Sequence, residues 1–419
     1  MTNRVLITGL GCVSGLGRGV GVNWERVRGG DGAIRPLEPP APEGIAAWFD
    51  DDKAHEAVGQ SLQRSALHRS ALLGNVDPER LRRLGKLDRL SSFALEAGLE
   101  AVTHAGLLAH PALVQRTAIL LGCGSGGNGT IETAYERLFA AGQSRVHPQT
   151  IPSSMIAAPA AQLSMLLGVH GPVLTLSGAC ASSAQALGEA MHMIRAGRAD
   201  VVIAGGAEAC LTRGSLTGWQ SLGVLAPDTC RPFSRDRRGM VLGEGAAVLV
   251  LESERHAHAR GARVLGELAG YGVSSDATHM TAPDVEGIAA AIRAAHEDAG
   301  IGIDTPALVS AHGTGTALND PAEAAAMHRV YGPALAHHRV IATKSAHGHM
   351  IGATGAIEFL LGLVALSEGI APPVLNHLGP DPDCDLPLVL AAQEFAPDVL
   401  VSNSFAFGGL NAVLVGRRA

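Results

Sequence analysis

The sequence predicts a layered α/β protein whose sheets are covered by helices on both faces. Short, wholly apolar runs recur along the chain, most of them ending in a glycine or a hydroxyl residue. Ala- and Leu-rich stretches with helical periodicity lie between several of these runs. The plan of the first half also returns in the second. Strands without an alternating polar face need cover on both sides, which crossover helices supply.

In chain order, the strand-like runs are Val5 to Gly9, Ala118 to Gly122, Val173 to Leu176 and Val201 to Gly206, and Ala246 to Leu251 closes the first half. Leu308 to Gly313, Val340 to Thr343 and Val399 to Ser402 follow. One helix is expected from Ala181 through Ala184, Leu187, Met191 and Ile194, and another from Ala353 through Ile357, Leu360, Leu361 and Val364. Each half has a strand ending in a glycine turn and a loop that carries a reactive residue into an Ala/Gly-rich helix: Cys180 in the first, His349 in the second. A duplicated α/β unit with its site at the seam gives this pattern, with halves at 1–255 and 256–419. Residues 50–89 break the rhythm and end in Arg80, Arg82, Arg83, Lys86 and Arg89. They read as a solvated helical insertion or as a docking face for an acidic partner.

Composition narrows the function. A chain of 419 residues, 47% hydrophobic with mean hydropathy +0.20, is too apolar to be disordered. With only Trp 3, Tyr 3 and Phe 8 against 53 Gly, the core must come from Ala, Leu, Val and close backbone approach. A net charge of −7 argues against wholesale nucleic-acid binding. No run of 18 or more uncharged apolar residues occurs, so no membrane span is expected. Strand-like sequence begins at Val5 without a signal peptide's apolar core, so a cytoplasmic location is expected. The six Cys show no C-x-x-C spacing and read mostly as buried small hydrophobes of a reducing compartment.

Cys180 differs from the other five. In Leu176-Ser177-Gly178-Ala179-Cys180-Ala181-Ser182-Ser183 a strand runs into a small-residue turn, with the cysteine where a helix begins. Small neighbours admit backbone amides to a substrate, and a helix N-terminus favours thiolate, so a lowered thiol pKa is expected. The arrangement is a nucleophile elbow with sulfur in place of oxygen. Two histidine loops follow at strand ends: His312-Gly313-Thr314-Gly315-Thr316, and Lys344-Ser345-Ala346-His347-Gly348-His349 leading into the helix that carries Glu358. His347 and His349 invite a metal reading, but no Cys or carboxylate stands nearby at zinc-ligand spacing, so no metal is expected. Near the C-terminus, Asn403 to Asn411 holds Phe405 and Phe407 ahead of Gly408-Gly409, as ordinary packing or as an aromatic gate. Gly9-Leu10-Gly11 lacks the third glycine and acidic ribose ligand of a dinucleotide site.

Together these segments resemble the β-ketoacyl-acyl-carrier-protein synthases, in particular the elongating Cys-His-His branch. The resemblance runs from Val5-Leu6-Ile7-Thr8-Gly9-Leu10-Gly11 through Ala204-Gly205-Gly206-Ala207-Glu208, Arg231-Pro232-Phe233 and Gly243-Glu244-Gly245-Ala246. It continues through Asp276 to Pro283 and ends at Asn403 to Asn411. It implies a thiolase-like duplicated fold, a five-layer α-β-α-β-α sandwich, normally dimeric. Cys180 is then the nucleophile that accepts an acyl chain, with the N–H groups of Cys180 and Phe407 as oxyanion hole. His312 and His349 assist malonyl decarboxylation, and Lys344 and Glu358 act as an electrostatic pair. Thr314 and Thr316 match the pantetheine-binding threonines; His279, Thr281, Phe405 and Phe407 fall in the other substrate segments, with Phe407 as the gate. The resemblance implies no cofactor beyond the carrier's phosphopantetheine, and an acyl carrier protein as partner. It also implies a homodimer, or a heterodimer with a nucleophile-less homologue. Arg80, Arg82, Arg83, Lys86 and Arg213 are the expected docking patch.

Some positions depart from the family pattern. Ser-Gly-Ala-Cys-Ala-Ser-Ser stands where fatty-acid enzymes more often have Thr-Ala-Cys-Ala-Thr-Gly. Ala406 replaces a usual Gly, Leu410 a usual Thr, and Gly315 is reminiscent of polyketide-type synthases. A Cβ at Ala406 should stiffen the gate. Other readings weigh less. A thiolase needs a second Cys in the last glycine loop, a Cys-His-Asn initiating synthase needs Asn at His349, and a chain-length factor lacks Cys180. A non-catalytic acyl- or carrier-binding homologue would leave Cys180, Lys344, His312 and His349 without a role.

Overall fold

The computed structural model describes residues 4–37, 44–47, 76–108, 110, 113 and 116–419. Ten strands make one hydrogen-bonded path. In chain order they are β1 (Val5–Ser14), β2 (Thr117–Gly122), β3 (Val173–Leu176), β4 (Val201–Glu208), β5 (Gly245–Ser253), β6 (Gly266–Ser275), β7 (Ala307–Ser310), β8 (Arg339–Ile341), β9 (Val399–Ala406) and β10 (Leu410–Arg418). Their spatial order is β8-β7-β9-β10-β6-β1-β5-β4-β2-β3.

The path is the same five-strand pattern used twice. In each half the first strand lies antiparallel beside the last, and the last antiparallel beside the fourth. The second strand pairs in parallel with the third and the fourth. Along the sheet path, the short pairing of Val5, Leu6 and Ile7 with Leu268, Glu267 and Gly266 joins the halves.

Helices fill three further layers around the two half-sheets. In chain order they are α1 (Arg89–His104), α2 (Ala158–Leu167), α3 (Ser182–Arg195), α4 (Val285–Ala299), α5 (Asn319–Tyr331) and α6 (Thr354–Glu368). Helices α1 and α2 cover the outer face of the first half, α4 that of the second with α5 packed on it, and α3 and α6 lie between the sheets. This is the five-layer arrangement. Ile351–Glu368, which contains α6, is apolar and long enough to cross a membrane, yet 83% of it is buried inside the protein as core.

The Gly9/Gly11 pair is a packing device. A Cβ on Gly9 would stand 2.1 Å from Ala101 O, and one on Gly11 2.1 Å from Ala97 O, so α1 lies directly on β1. The glycine segment near the C-terminus is a hairpin, with Phe405 and Ala406 inside β9 and only Phe407-Gly408-Gly409 at its tip. Strands β6 and β10 do not stand out in the sequence because their apolar runs are broken by Gly270, Gly272 and Gly416. Of the 50–89 segment, residues 50–75 lie outside the described residues. Asp77 caps a short helix, Pro78–Arg83, and Asp88 caps α1.

Candidate active site

Cys180 sits on a single 3₁₀ turn, Ala179–Ala181, between β3 and α3. Ala179 has φ 47°, the left-handed conformation that a sharp elbow demands of a non-glycine residue. Ser182 holds the turn: its hydroxyl donates to Ala179 O (2.6 Å) and accepts from Gly178 N (2.9 Å). The ends of β2 and β4 press close beneath. A Cβ on Gly122 would meet Ser182 C and Ser183 N at 2.4 Å, and one on Gly206 would meet Ser183 Cβ at 2.6 Å.

The second half brings its histidines to the same place. His312 and His349 rings lie edge to face with centroids 5.4 Å apart, and the His312 ring meets Phe405 at 5.9 Å. His349 Nδ1 lies 2.9 Å from Thr354 Oγ1. His312 Nδ1 and His349 Nε2 are buried without a hydrogen-bond partner. Burial, then the Lys344 charge, then an adjacent imidazole, His349 for His312 and His347 for His349, hold both rings well below the ordinary histidine pKa, so both are neutral. The His347 ring is spent on Thr343 Oγ1 (2.9 Å) and Gly348 O (2.8 Å).

Lys344 and Glu358 are wholly buried and paired, Nζ donating to both carboxylate oxygens at 2.9 and 2.7 Å and to the carbonyl of His312. Burial pushes the Glu358 carboxyl up to about 7 despite the lysine. Cys180 departs from expectation. Burial outweighs the lowering effects of the Lys344 charge and of the N–H groups of Phe407 and Cys180, and the thiol is pushed up to about 11. The helix N-terminus is real, but Cys180 is only 7% exposed and desolvation wins.

Three buried carboxylates were given no role in the sequence reading. Glu323 accepts from the N–H groups of His312 and Gly313, both at 2.8 Å, and from Asn403 Nδ2 at 3.1 Å. Asp320 accepts from Phe233 N (2.7 Å) and Gly315 N. Glu208, at the end of β4, accepts from Gly124 N (2.8 Å) and from Gly352 N (3.1 Å) in the other half. Ser183 Oγ likewise accepts from Ala356 N in the first turn of α6 (2.9 Å). A signal existed for two of them: Asp320, Glu323, Met327 and Val330 follow each other at helical spacing, so the carboxylates share the buried stripe.

A cavity of about 390 Å³ collects the site. Cys180, His312, His349, Thr314, Thr316, Thr281, Phe405 and Phe407 line it. Thr314 and Thr316 hydroxyls lie 2.9 Å apart. The exposed His279 is not on the wall, and its Nδ1 accepts from Thr281 N and Ala282 N. Phe407 stacks on Trp219, and Gly408 N donates to Met280 O at 2.7 Å. Positive φ falls on Gly408 and Gly409 (85° and 70°), while Ala406 lies in extended strand and accommodates its Cβ. Of the basic residues, Arg80 donates to Leu167 O, Arg83 pairs with Glu79, Arg82 and Arg213 are exposed, and Lys86 is half-buried.

Fold and site define the thiolase-like class: two matched α/β halves meeting at a cysteine and a pair of neutral histidines. Residues 2–257 match the β-ketoacyl synthase N-terminal domain and 265–377 its C-terminal domain, and the chain belongs to that family of acyl-transferring enzymes. Over 419 residues, all of both chains, it is 40% identical to Nodulation protein E of Rhizobium sp. (strain N33). It is 35% identical to 3-oxoacyl-[acyl-carrier-protein] synthase 2 of Staphylococcus aureus (strain COL), covering 99% of this chain and 98% of that one. The solved ishigamide ketosynthase/chain length factor matches over the whole of both chains at 34% identity, TM-score 0.89. A type II PKS ketosynthase bound to the hexaketide, solved with its acyl-carrier protein, matches over the whole of both chains at 28% identity, TM-score 0.86.

Proposed function

We propose that the chain is a β-ketoacyl-carrier-protein synthase that extends an acyl chain by two carbons. The convergence of Cys180, His312 and His349 on one cavity carries this reading. Cys180 attacks a carrier-bound thioester, and its proton leaves on the carrier thiol. The Cys180 and Phe407 N–H groups, which already bear on the sulfur, hold the developing oxyanion. A malonyl thioester then loses CO₂, and its electron pair passes to an enolate stabilised by neutral imidazole N–H donors. A Thr354 hydroxyl donating to His349 Nδ1 places that ring's proton on the unpartnered Nε2. The enolate carbon attacks the acyl-Cys180 carbonyl, the β-ketoacyl thioester forms, and the Cys180 thiolate is released. Lys344 and Glu358 position His312 through its carbonyl. No metal, nucleotide or resident cofactor enters these steps, and a cytoplasmic setting suits them.

The reading includes a second copy of the chain. The outer edge of β8 is closed by its own chain, Val340 N donating to Pro387 O and Val389 N to Val340 O, both at 3.0 Å. Among the described residues the opposite edge, β3, is uncapped, with Leu174 48% exposed and Met165 of the adjoining α2 exposed. An open apolar edge strand is a pairing surface, and we assign it to a homodimer. The ketosynthase/chain length factor neighbour favours a nucleophile-less homologue as the second candidate on that edge.

Intact-mass spectrometry after mixing with acyl carrier proteins bearing different chains tests the chemistry. A gain of one acyl group, lost in Cys180→Ala, is expected; no adduct from any carrier overturns the reading. Sedimentation with and without Leu174→Asp tests the dimer, which should dissociate; a variant that stays dimeric refutes the edge assignment.

A further inference from the structure

We infer that Arg238 is the anion anchor at the cavity mouth, taking the phosphodiester of the carrier's pantetheine arm; this rests on the ketosynthase reading above. Arg238 is the one permanently charged side chain on the cavity wall among the described residues, and no carboxylate lines that wall. It is exposed and makes no hydrogen bond or ion pair with a described residue, whereas its neighbours are all engaged. Arg231 pairs with Asp228 at 2.9 Å, Arg235 with Asp236 at 3.8 Å, and Arg237 with Asp381.

Its place on the rim is fixed from both sides. Arg237 Nε donates to Thr316 O (3.2 Å) and Gly239 N to Gly315 O (2.9 Å), so the backbone at 238 is tied along the Thr314–Thr316 loop. The remainder of the rim is apolar or hydroxylic: Leu222, Met280 and Leu318 are large and exposed, and Thr281 and Thr316 offer hydroxyls. An arm entering past these groups with its thioester at Cys180 has its amides near the threonines and its phosphate outermost. A guanidinium there without an ion pair of its own is a bidentate phosphate partner; the carboxylate its charge reaches, Asp228, is already paired with Arg231.

The test compares Cys180 acylation, read by intact mass, from an acyl-pantetheine and from the same acyl-4′-phosphopantetheine at sub-saturating concentration. The parent protein should load the phosphorylated arm about tenfold faster, as a charge-assisted contact implies. Arg238→Gln should bring the two rates within about twofold, and Arg238→Lys should restore part of the preference. Carrier-linked and coenzyme A thioesters form further arms: the variant should slow the carrier-linked one, and slowing confined to coenzyme A would overturn the assignment. An unchanged preference in Arg238→Gln would overturn it while leaving the ketosynthase reading intact. No loading from any thioester would sink both.

Discussion

The neutrality of the histidine pair can be tested by moving the pH across the range where free imidazole titrates. An imidazole of ordinary pKa, about 6.5, is ten parts in eleven protonated at about pH 5.5. Were one such ring required neutral, the rate would fall about tenfold between about pH 7.5 and 5.5; for two independent rings the fall is about 100-fold. In this protein burial and the Lys344 charge disfavour imidazolium at both positions. Glu358, held near 7, gains its proton in the same interval, which leaves Lys344 less compensated and opposes imidazolium further. We therefore expect malonyl-thioester decarboxylation to change less than about twofold over that window. The assay follows loss of malonyl thioester by mass in Cys180→Ala, so that titration of the sulfur does not enter, with circular dichroism confirming the fold at each pH. A decline of about tenfold with a midpoint near 6.5, or a larger one, would refute the neutrality of the pair.

Cys180, pushed up to about 11 from 9.0, carries about a hundredfold less thiolate at neutral pH than an unshifted thiol, so its iodoacetamide labelling should still be rising at pH 10. A labelling midpoint near 7 would show that the helix N-terminus outweighs burial. Lys344→Met strands the Glu358 carboxyl and should cost about 3–5 kcal/mol in urea unfolding; adding Glu358→Gln should recover part of it. A double variant no more stable than the single would remove the pair's electrostatic account. Gly122→Ala puts a methyl against the backbone that carries Cys180 and should destabilise by about 3 kcal/mol, while Gly218→Ala, with open space around it, should be neutral. Equal stability of the two would contradict the described packing.

Much of the site was legible because its chemistry sits at chain punctuation. Cys180, His312 and His349 each follow a strand end or open a helix, and small residues crowd around them because backbone must approach closely. Strand runs such as Val173–Leu176 stand out because both faces are apolar. What stayed hidden depends on three-dimensional partners. Glu208 looks like an ordinary acid at a strand end until Gly352, 144 residues on, is seen donating to it. The Cys180 pKa was misjudged for a related reason: a helix start can be read locally, whereas the burial that overrides it comes from remote segments. Arg80 was read as surface charge, and the structure gives it a carbonyl in α2.

The contact of the Phe407 N–H with the Cys180 sulfur also bears on the order of assembly. The nucleophile and its elbow come from the first half, but this N–H arrives with the hairpin of β9 and β10, more than two hundred residues later in synthesis. During those intervening residues a nascent chain presents Cys180 without the Phe407 N–H that bears on its sulfur. On the proposed mechanism, reactivity toward thioesters is thereby deferred until the β9–β10 hairpin has docked between β7 and β6, and a truncated or half-folded chain should be chemically quiet.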